Sequence, residues 1–470
     1  MKRNLLILAS ALLLAGGTAF ADGTNDVFTK PAWLTDLSAG VKESYDDNVL
    51  LVADRSPGLN AQSSWITTIS PKVGFNFAPL LGTQTTLKTL SLVYAPDFNI
   101  YHDASSENYN AHKLANAIKG KTGDFSFSLD NAFLFNDGRS TAPTYALSQD
   151  ATPAPLKTLY QADKNRSCYA TAGPRERRKQ IQDRSTVVFQ YDVGKFFIRP
   201  TASLLYYDLM TDWHNGSVTP YKGYQNYVDR ADVNGGLDLG YKVTEGLAAT
   251  VGYRYGHQYQ QALPYSDDTL KVNGQQAQSS ADYQRLLLGL EGKPLKWLTV
   301  KLAGGPEFRD YNSAAPVNHD HPVNYYGEAV LTATITTNQN VSFTYKHWQW
   351  VSSTGKLPYA DNTYALAYHV NATQQLGLDL GAKYLFADYT CGSTSLTGGT
   401  ATTAGQSQRN DAMYSLSAGV SYAFTRHFGA SLGYAYDLGR NQQAGLPVSG
   451  YAGYRNFDHQ LVSLGVQYKF

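Results

Sequence analysis

Residues 457–470 read FDHQLVSLGVQYKF, and the reading of this stretch decides the fold. Its even positions are Val462, Leu464, Val466, Tyr468 and Phe470, and its odd positions are Ser463, Gly465, Gln467 and Lys469. Successive side chains of a strand point to opposite faces, so the stretch predicts one strand with an apolar face and a small or polar face. The chain stops on the apolar side, at Phe470. In a soluble sandwich that face meets a core and the chain rarely ends on it. A strand whose apolar face meets lipid suits such an ending.

The same alternation recurs upstream. Period-two apolar sets include Trp65/Ile69/Val73/Phe75/Phe77, Leu90/Leu92/Tyr94, Phe125/Phe127/Leu129/Phe133, Val187/Phe189/Tyr191 and Leu237/Leu239/Tyr241. Further sets are Val251/Tyr253/Tyr255, Leu286/Leu288/Leu290, Leu298/Val300/Leu302, Val341/Phe343/Tyr345, Leu376/Leu378/Leu380, Tyr414/Leu416/Val420/Tyr422 and Leu432/Tyr434/Tyr436. With weaker segments the count is about 18 strands, within a range of about 16–18, an even number that a bacterial barrel allows. The connections alternate in length. Short turns are expected at 120–123, 193–195, 244–246, Lys293-Pro294, 337–339 and 425–426. Long polar loops are expected near 46–62, 137–178, 209–224, 261–278, 311–323, 390–408 and 440–456. That alternation predicts an all-β, transmembrane, up-and-down antiparallel β-barrel with short periplasmic turns and long external loops. A propeller would show a fixed repeat period, and none is found.

Composition agrees. Hydrophobic residues make up 43% of the chain and the mean hydropathy is −0.35, too low for a helical membrane protein. No apolar run reaches the ~18 residues that a spanning helix needs. The 35 Tyr and 41 Gly suit aromatic girdles and a lumen of small side chains. Residues 1–21 are expected to be a signal peptide: Lys2 and Arg3 form its charged region, Leu5 to Leu14 its apolar stretch, and Ala19-Phe20-Ala21 its cleavage site. The barrel domain then runs from Asp22 to Phe470. Loss of Lys2 and Arg3 takes the formal net charge from +1 to −1, which argues against a nucleic-acid partner. Cys168 and Cys391 are the only cysteines; both fall in long loops and form a disulfide candidate across the outer side, or else two free loop thiols.

A terminal Phe470 with Tyr468 two residues before it, behind alternating apolar residues, resembles the C-terminal signature of bacterial outer-membrane β-barrel proteins. The resemblance implies that Tyr468 and Phe470 are an assembly signal read by the barrel-assembly machinery. It also implies a place in the outer membrane, among its lipid and lipopolysaccharide. Tyr45-Asp46-Asp47-Asn48-Val49, Ile69-Ser70-Pro71 and Leu92-Val93-Tyr94-Ala95-Pro96, with His112 after them, resemble segments of the β-barrel porin 2 families. That match covers mainly the first ~115 residues and the last strand.

Motifs for chemistry are weak. Gly429-Ala430-Ser431-Leu432-Gly433 has the pattern of a nucleophile elbow, but it lies inside an alternating strand and not at a strand-to-helix turn. His319-Asp320-His321 lacks a third metal ligand at usable spacing. Asp46 and Asp47 suit Ca²⁺ by ligand type, yet an acidic loop beside Asp54 is more often hydrated. No catalytic residue, cofactor or metal is therefore expected, and no enzyme.

Parity points Arg184, Arg199, Arg254, Arg285 and Lys301 into the lumen, and likewise Asp97, Asp130, Glu328, Asp379 and Asp437. Two readings stand open: opposed charge walls with a transverse field, or pairs between neighbouring strands. Arg175, Arg177 and Arg178, at the end of the long connection 137–178, extend the basic set. Outer-membrane porins fold their third external loop inward, and by that likeness this loop is expected to line a constriction that prefers anionic solutes. The alternative is a surface flap that meets lipopolysaccharide phosphates. The expected function is a passive channel for small hydrophilic solutes. The alternatives are a barrel of a surface-polysaccharide export or assembly system, or a surface-exposed barrel enzyme or adhesin.

Overall fold

The structure is a computed structural model. It describes residues 30–49, 51, 61–82, 86–138, 179–210, 213–214, 223–224, 229–262, 271–272, 275–276, 278–313, 315, 323–351, 358–389, 409–443 and 456–470. Eighteen strands build one sheet. The first nine are β1 (Leu34–Asp46), β2 (Ser64–Asn76), β3 (Leu87–Tyr94, continued by Asp97–Tyr101), β4 (Tyr109–Thr122), β5 (Phe125–Gly138), β6 (Gln180–Val193), β7 (Phe196–Asp208), β8 (Arg230–Thr244) and β9 (Leu247–Gln260). The others are β10 (Ala281–Leu295), β11 (Leu298–Tyr311), β12 (Val323–Thr336), β13 (Gln339–Val351), β14 (Pro358–Asn371), β15 (Leu376–Tyr389), β16 (Arg409–Ala423), β17 (Phe428–Gln443) and β18 (Phe457–Lys469). Each strand pairs antiparallel with its predecessor. β18 returns to β1, with Ser38 opposite Lys469 and Asp46 opposite Leu461, so the sheet closes into a barrel without edges.

The break inside β3 has a local cause. Val73 pairs with Tyr94 and Ile69 with Phe98, which sets Pro71 opposite Pro96. Neither proline can donate to the ladder, so pairing lapses there and resumes in the same register.

Tight turns at 123–124, 194–195, 245–246 and 337–338 join strands at one end of the barrel, close to the positions expected, while most residues of the expected long loops lie outside the described residues. The position of one turn differs from the sequence reading. Lys293-Pro294 lies in the last residues of β10, and the chain reverses at Lys296-Trp297 instead. The register shifts between Gly292 and Leu295, where Gly292 has φ 133°; the irregularity takes up Pro294, which has no N–H to donate. The sequence reading also passed over the short connection 102–108, whose Ser105–Glu107 forms a single 3-10 turn.

Outward side chains form the apolar band that the alternation predicts; Leu288, Leu380, Leu416, Leu432, Val251 and Leu464 are all exposed. Tyr345, Tyr364, Tyr384 and Tyr414 form a ladder of rings over β13–β16, with successive centroids 4.9, 6.0 and 4.8 Å apart. Phe424, Phe428, Tyr468 and Phe470 sit at the short-turn end, where the Tyr468 and Phe470 rings meet edge to face. The outer face of β1–β6 departs from this pattern. Asn131, with Leu129 and Phe133 beside it along the strand, donates to Asp183 Oδ1 (2.6 Å) and Ser185 Oγ (2.8 Å) and accepts from Asn116 Nδ2 (2.9 Å). Glu43 accepts from Thr67 Oγ1 (2.7 Å), with His102 3.5 Å away. The Asn131 cluster is bonded throughout and Glu43 has Thr67 on one oxygen, which lowers the cost of holding these groups against lipid.

Candidate functional site: the barrel lumen

Buried polar and charged side chains, as common among the described residues as buried apolar ones, lie mainly in the lumen. They concentrate on the half of the wall formed by β7–β13. Glu307 of β11 is fully enclosed and takes Arg285 Nε on one oxygen (2.6 Å) and Arg309 Nε on the other (2.5 Å). Tyr283 of β10 lies under both guanidinium groups, with Arg285 Cζ 4.4 Å and Arg309 Cζ 5.3 Å from its ring centre. Its hydroxyl donates to Asp232 Oδ1 (3.0 Å), and Gln258 Nε2 donates to Asp232 Oδ2 (2.8 Å). Glycine makes room for this ring: a Cβ at Gly256 would lie 2.4 Å from Tyr283 Cζ.

The same network crosses the lumen. Gln258 Nε2 (2.9 Å) and Arg309 Nη2 (2.8 Å) both donate to the Gln349 carbonyl of β13, and Arg230 Nη1 donates to the Val351 carbonyl (3.1 Å). β8 and β9 are not neighbours of β13 in the sheet, so these bonds require the outer end of β13 to lean inward. Arg230 is clamped between Tyr207 (4.9 Å) and Trp350 (5.1 Å). At the loop end beside this half, Asp229 precedes β8 and accepts the Leu209 N–H (2.9 Å). Burial pushes its carboxyl up from the ordinary range; the Leu209 N–H opposes the rise and Asp208 adds to it.

The other half of the lumen, over β15–β18 and β1–β2, carries many small groups, among them Gly377, Ser421, Ser431, Gly465, Gly40 and Ser70. Within this half, at the short-turn end, lies an open cavity of about 530 Å³. Ser431, from the elbow-like pentapeptide, is one of its lining residues and sits within β17.

The sequence-assigned lumen charges are mostly paired along the wall. Arg199 is bonded to Glu291 through Nη1 (3.0 Å), and Arg254 to Asp238 (2.7 Å). Arg285 meets Glu307 (2.5 Å) and Lys301 meets Glu328 (2.8 Å). Asp97 is bonded to Lys113 and Ser70, Asp130 to Lys119 (2.9 Å), Asp379 to His369 (2.7 Å) and Asp437 to His459 (3.1 Å). Arg184 is exposed to the lumen and makes no ion pair among the described residues. Most of these pairs join neighbouring strands, as in the second of the two readings; Arg199 of β7 is the exception, because it reaches Glu291 of β10 across β8 and β9. Arg175, Arg177, Arg178, Cys168, Cys391, His319, Asp320 and His321 lie outside the described residues, as do residues 1–21.

Asp46 and Asp47 have a specific place. His459 directs Nε2 at Asp46 (3.1 Å) and Nδ1 at Asp437 (3.1 Å), so the ring bridges two carboxylates and both nitrogens act as donors in the doubly protonated form. Asp47 Oδ1 accepts the Gln460 N–H (2.7 Å), and Asn48 Nδ2 donates to the Asp458 carbonyl (2.9 Å). Asp46, Asp47 and His459 bring ligand-type atoms within 4.8 Å of one another, but these bonds already engage them. The segment clasps the first strand to the last beyond the end of their ladder.

A closed sheet with an apolar outer face and a polar lumen defines the class: the chain is a transmembrane β-barrel of the outer-membrane kind. No family model matches it, and no curated protein matches it. Among solved structures it is similar to OccK2 (OpdF) of Pseudomonas aeruginosa, at 10% identity and a TM-score of 0.39 over 93% of this chain and 98% of that one. It is also similar to the siderophore receptor PirA of Acinetobacter baumannii (9% identity, TM-score 0.38, 94% and 81% covered). A third is a loop-deletion mutant of OmpT, an outer membrane protein of Vibrio cholerae (13% identity, TM-score 0.32, 93% and 98% covered).

Proposed function

We propose that the chain is a passive outer-membrane channel for small hydrophilic solutes. It would reach the membrane through its signal peptide and be assembled there through Tyr468 and Phe470. The observation that carries this reading is the asymmetry of the lumen. One half is filled by a bonded network, while the other is faced with glycine and serine beside a cavity of about 530 Å³. An eighteen-strand barrel is wide enough to leave a water path past such a plug. The bonded groups of the filled half are enclosed and mostly answer one another, which suits a wall that narrows the path more than a site that does chemistry. On this reading the protein is not an enzyme. Its selectivity comes from the width of the remaining path and the charges that line it.

Reconstitution in planar bilayers tests the proposal. The expected record is steady, voltage-independent opening, with liposomes that swell in sugars and amino acids. A silent bilayer from correctly folded protein would overturn the channel reading in favour of an export accessory or a surface enzyme.

A further inference from the structure

We infer that the cavity at the short-turn end is a binding station for small organic anions on their way through the lumen; this rests on the channel reading above. Four fully charged side chains line it: Lys42 of β1, Arg426 of the β16–β17 turn, Lys469 of β18 and Asp97 of β3. Asp97 is already neutralised by Lys113 and holds the Ser70 hydroxyl at 2.6 Å. Nearby carboxylates are also engaged: Asp36 with Lys72 (2.5 Å) and Asp379 with His369 (2.7 Å). Lys42, Arg426 and Lys469 make no ion pair among the described residues. Three cations thus face one open volume whose carboxylate is balanced.

The remaining lining fits the same ligand class. Thr68, Ser70, Ser421, Thr425, Ser431, Gln375 and Gln467 supply hydroxyl and amide donors around the cations. Hydroxyls and amides bond to carboxylate, sulfonate or phosphate oxygens at little cost, and cations in a water-filled cleft with low-dielectric walls raise the local anion concentration. Glycines at 40, 377, 429 and 465 keep the volume open. A station of this kind needs affinity weak enough for release, and donors on several strands that cannot close around the ligand provide that.

The test is the reversal potential of the reconstituted full-length chain in a KCl gradient. The native protein should favour chloride. A K42S/R426S/K469S variant should lose that preference, its chloride-to-potassium permeability ratio falling roughly threefold or more. Pyrophosphate added on the short-turn side should reduce the native current and leave that of the variant unchanged. Lys42→Glu alone, a milder change for assembly, should move the ratio in the same direction. Channels that conduct with a selectivity unaltered by these substitutions would overturn the anion station while leaving the channel reading intact. A native barrel that does not conduct would overturn both.

Discussion

The two halves of the lumen obey the same alternation and come to opposite ends. In β8–β11 the inward positions carry Asp232, Gln258, Tyr283, Arg285, Glu307 and Arg309, and these side chains lie against one another until water is excluded. In β15–β18 the inward positions include Gly377, Gly381, Ser417, Ser421, Ser431, Gly433 and Gly465, and the inward Asp379, Asp437 and His459 bond to adjacent strands, with no bond across the lumen among the described residues. The backbone geometry is equivalent, so the difference lies wholly in side-chain volume and bonding capacity. One half of the wall makes the barrel rigid; the other leaves it open.

Breaking the filled half should have the largest effect. Glu307→Ala leaves two buried guanidinium groups facing each other without a counter-charge. Removing one partner of such an enclosed pair costs about 3–5 kcal/mol. The expected outcome is a lowered unfolding midpoint in urea and a lower temperature for loss of the compact form on gels. Ser417→Ala, on the open half, should leave both measurements in place.

A second comparison sets the two faces of one open-half strand against each other. Leu416 is exposed on the outer face of β16, and Ser417 points inward. A cation facing lipid near the midplane costs ~2–4 kcal/mol, while the lumen is wet. Leu416→Arg should therefore impair assembly, and Ser417→Arg should assemble normally. Ser417→Trp should assemble as well and lower the single-channel conductance by narrowing the open half, whereas Thr201→Trp, beside the filled half, should change it little. A barrel that tolerates arginine equally at 416 and 417 would refute the register.

These contrasts also mark what the sequence discloses. Period-two alternation fixes strands, faces and the direction of each lumen charge, because parity is a local property. Partner choice is not local. Arg199 reaches Glu291, and Gln258 meets the carbonyl of Gln349, at separations of 92 and 91 residues, so both depend on the register of several intervening strands. The inward lean of β13 has no signature in residues 339–351 beyond an aromatic pair, Trp348 and Trp350. The turn at Lys296-Trp297 was hidden because Lys293-Pro294 is the stronger turn signal, and an irregularity in β10 absorbs it. The polar cluster on the outer face was hidden for the opposite reason. Asn131 sits between Leu129 and Phe133 as one polar residue in an apolar series, and only the pairing of β4, β5 and β6 shows that it has company.

The smallest expected effect lies where the filled half meets the loop end, at Asp229. Burial raises its carboxyl above the ordinary range, so its folded form favours the proton. A carboxyl raised in this way contributes stability below its unfolded pKa, and that contribution is lost as pH rises through the folded value. Ionisation there must hold a charge beside Asp208 with the Leu209 N–H as a counterweight. Asp229→Asn retains an oxygen that can accept the Leu209 N–H and never ionises. Its unfolding midpoint should match the native protein in acid, where both side chains are neutral. As pH rises to neutrality the variant should become the more stable, by a margin that grows through the titration and then levels off. A variant less stable at neutral pH would mean that the Asp229 charge supports the loop-end bonds, and that the cost of burying it is met by the Leu209 N–H.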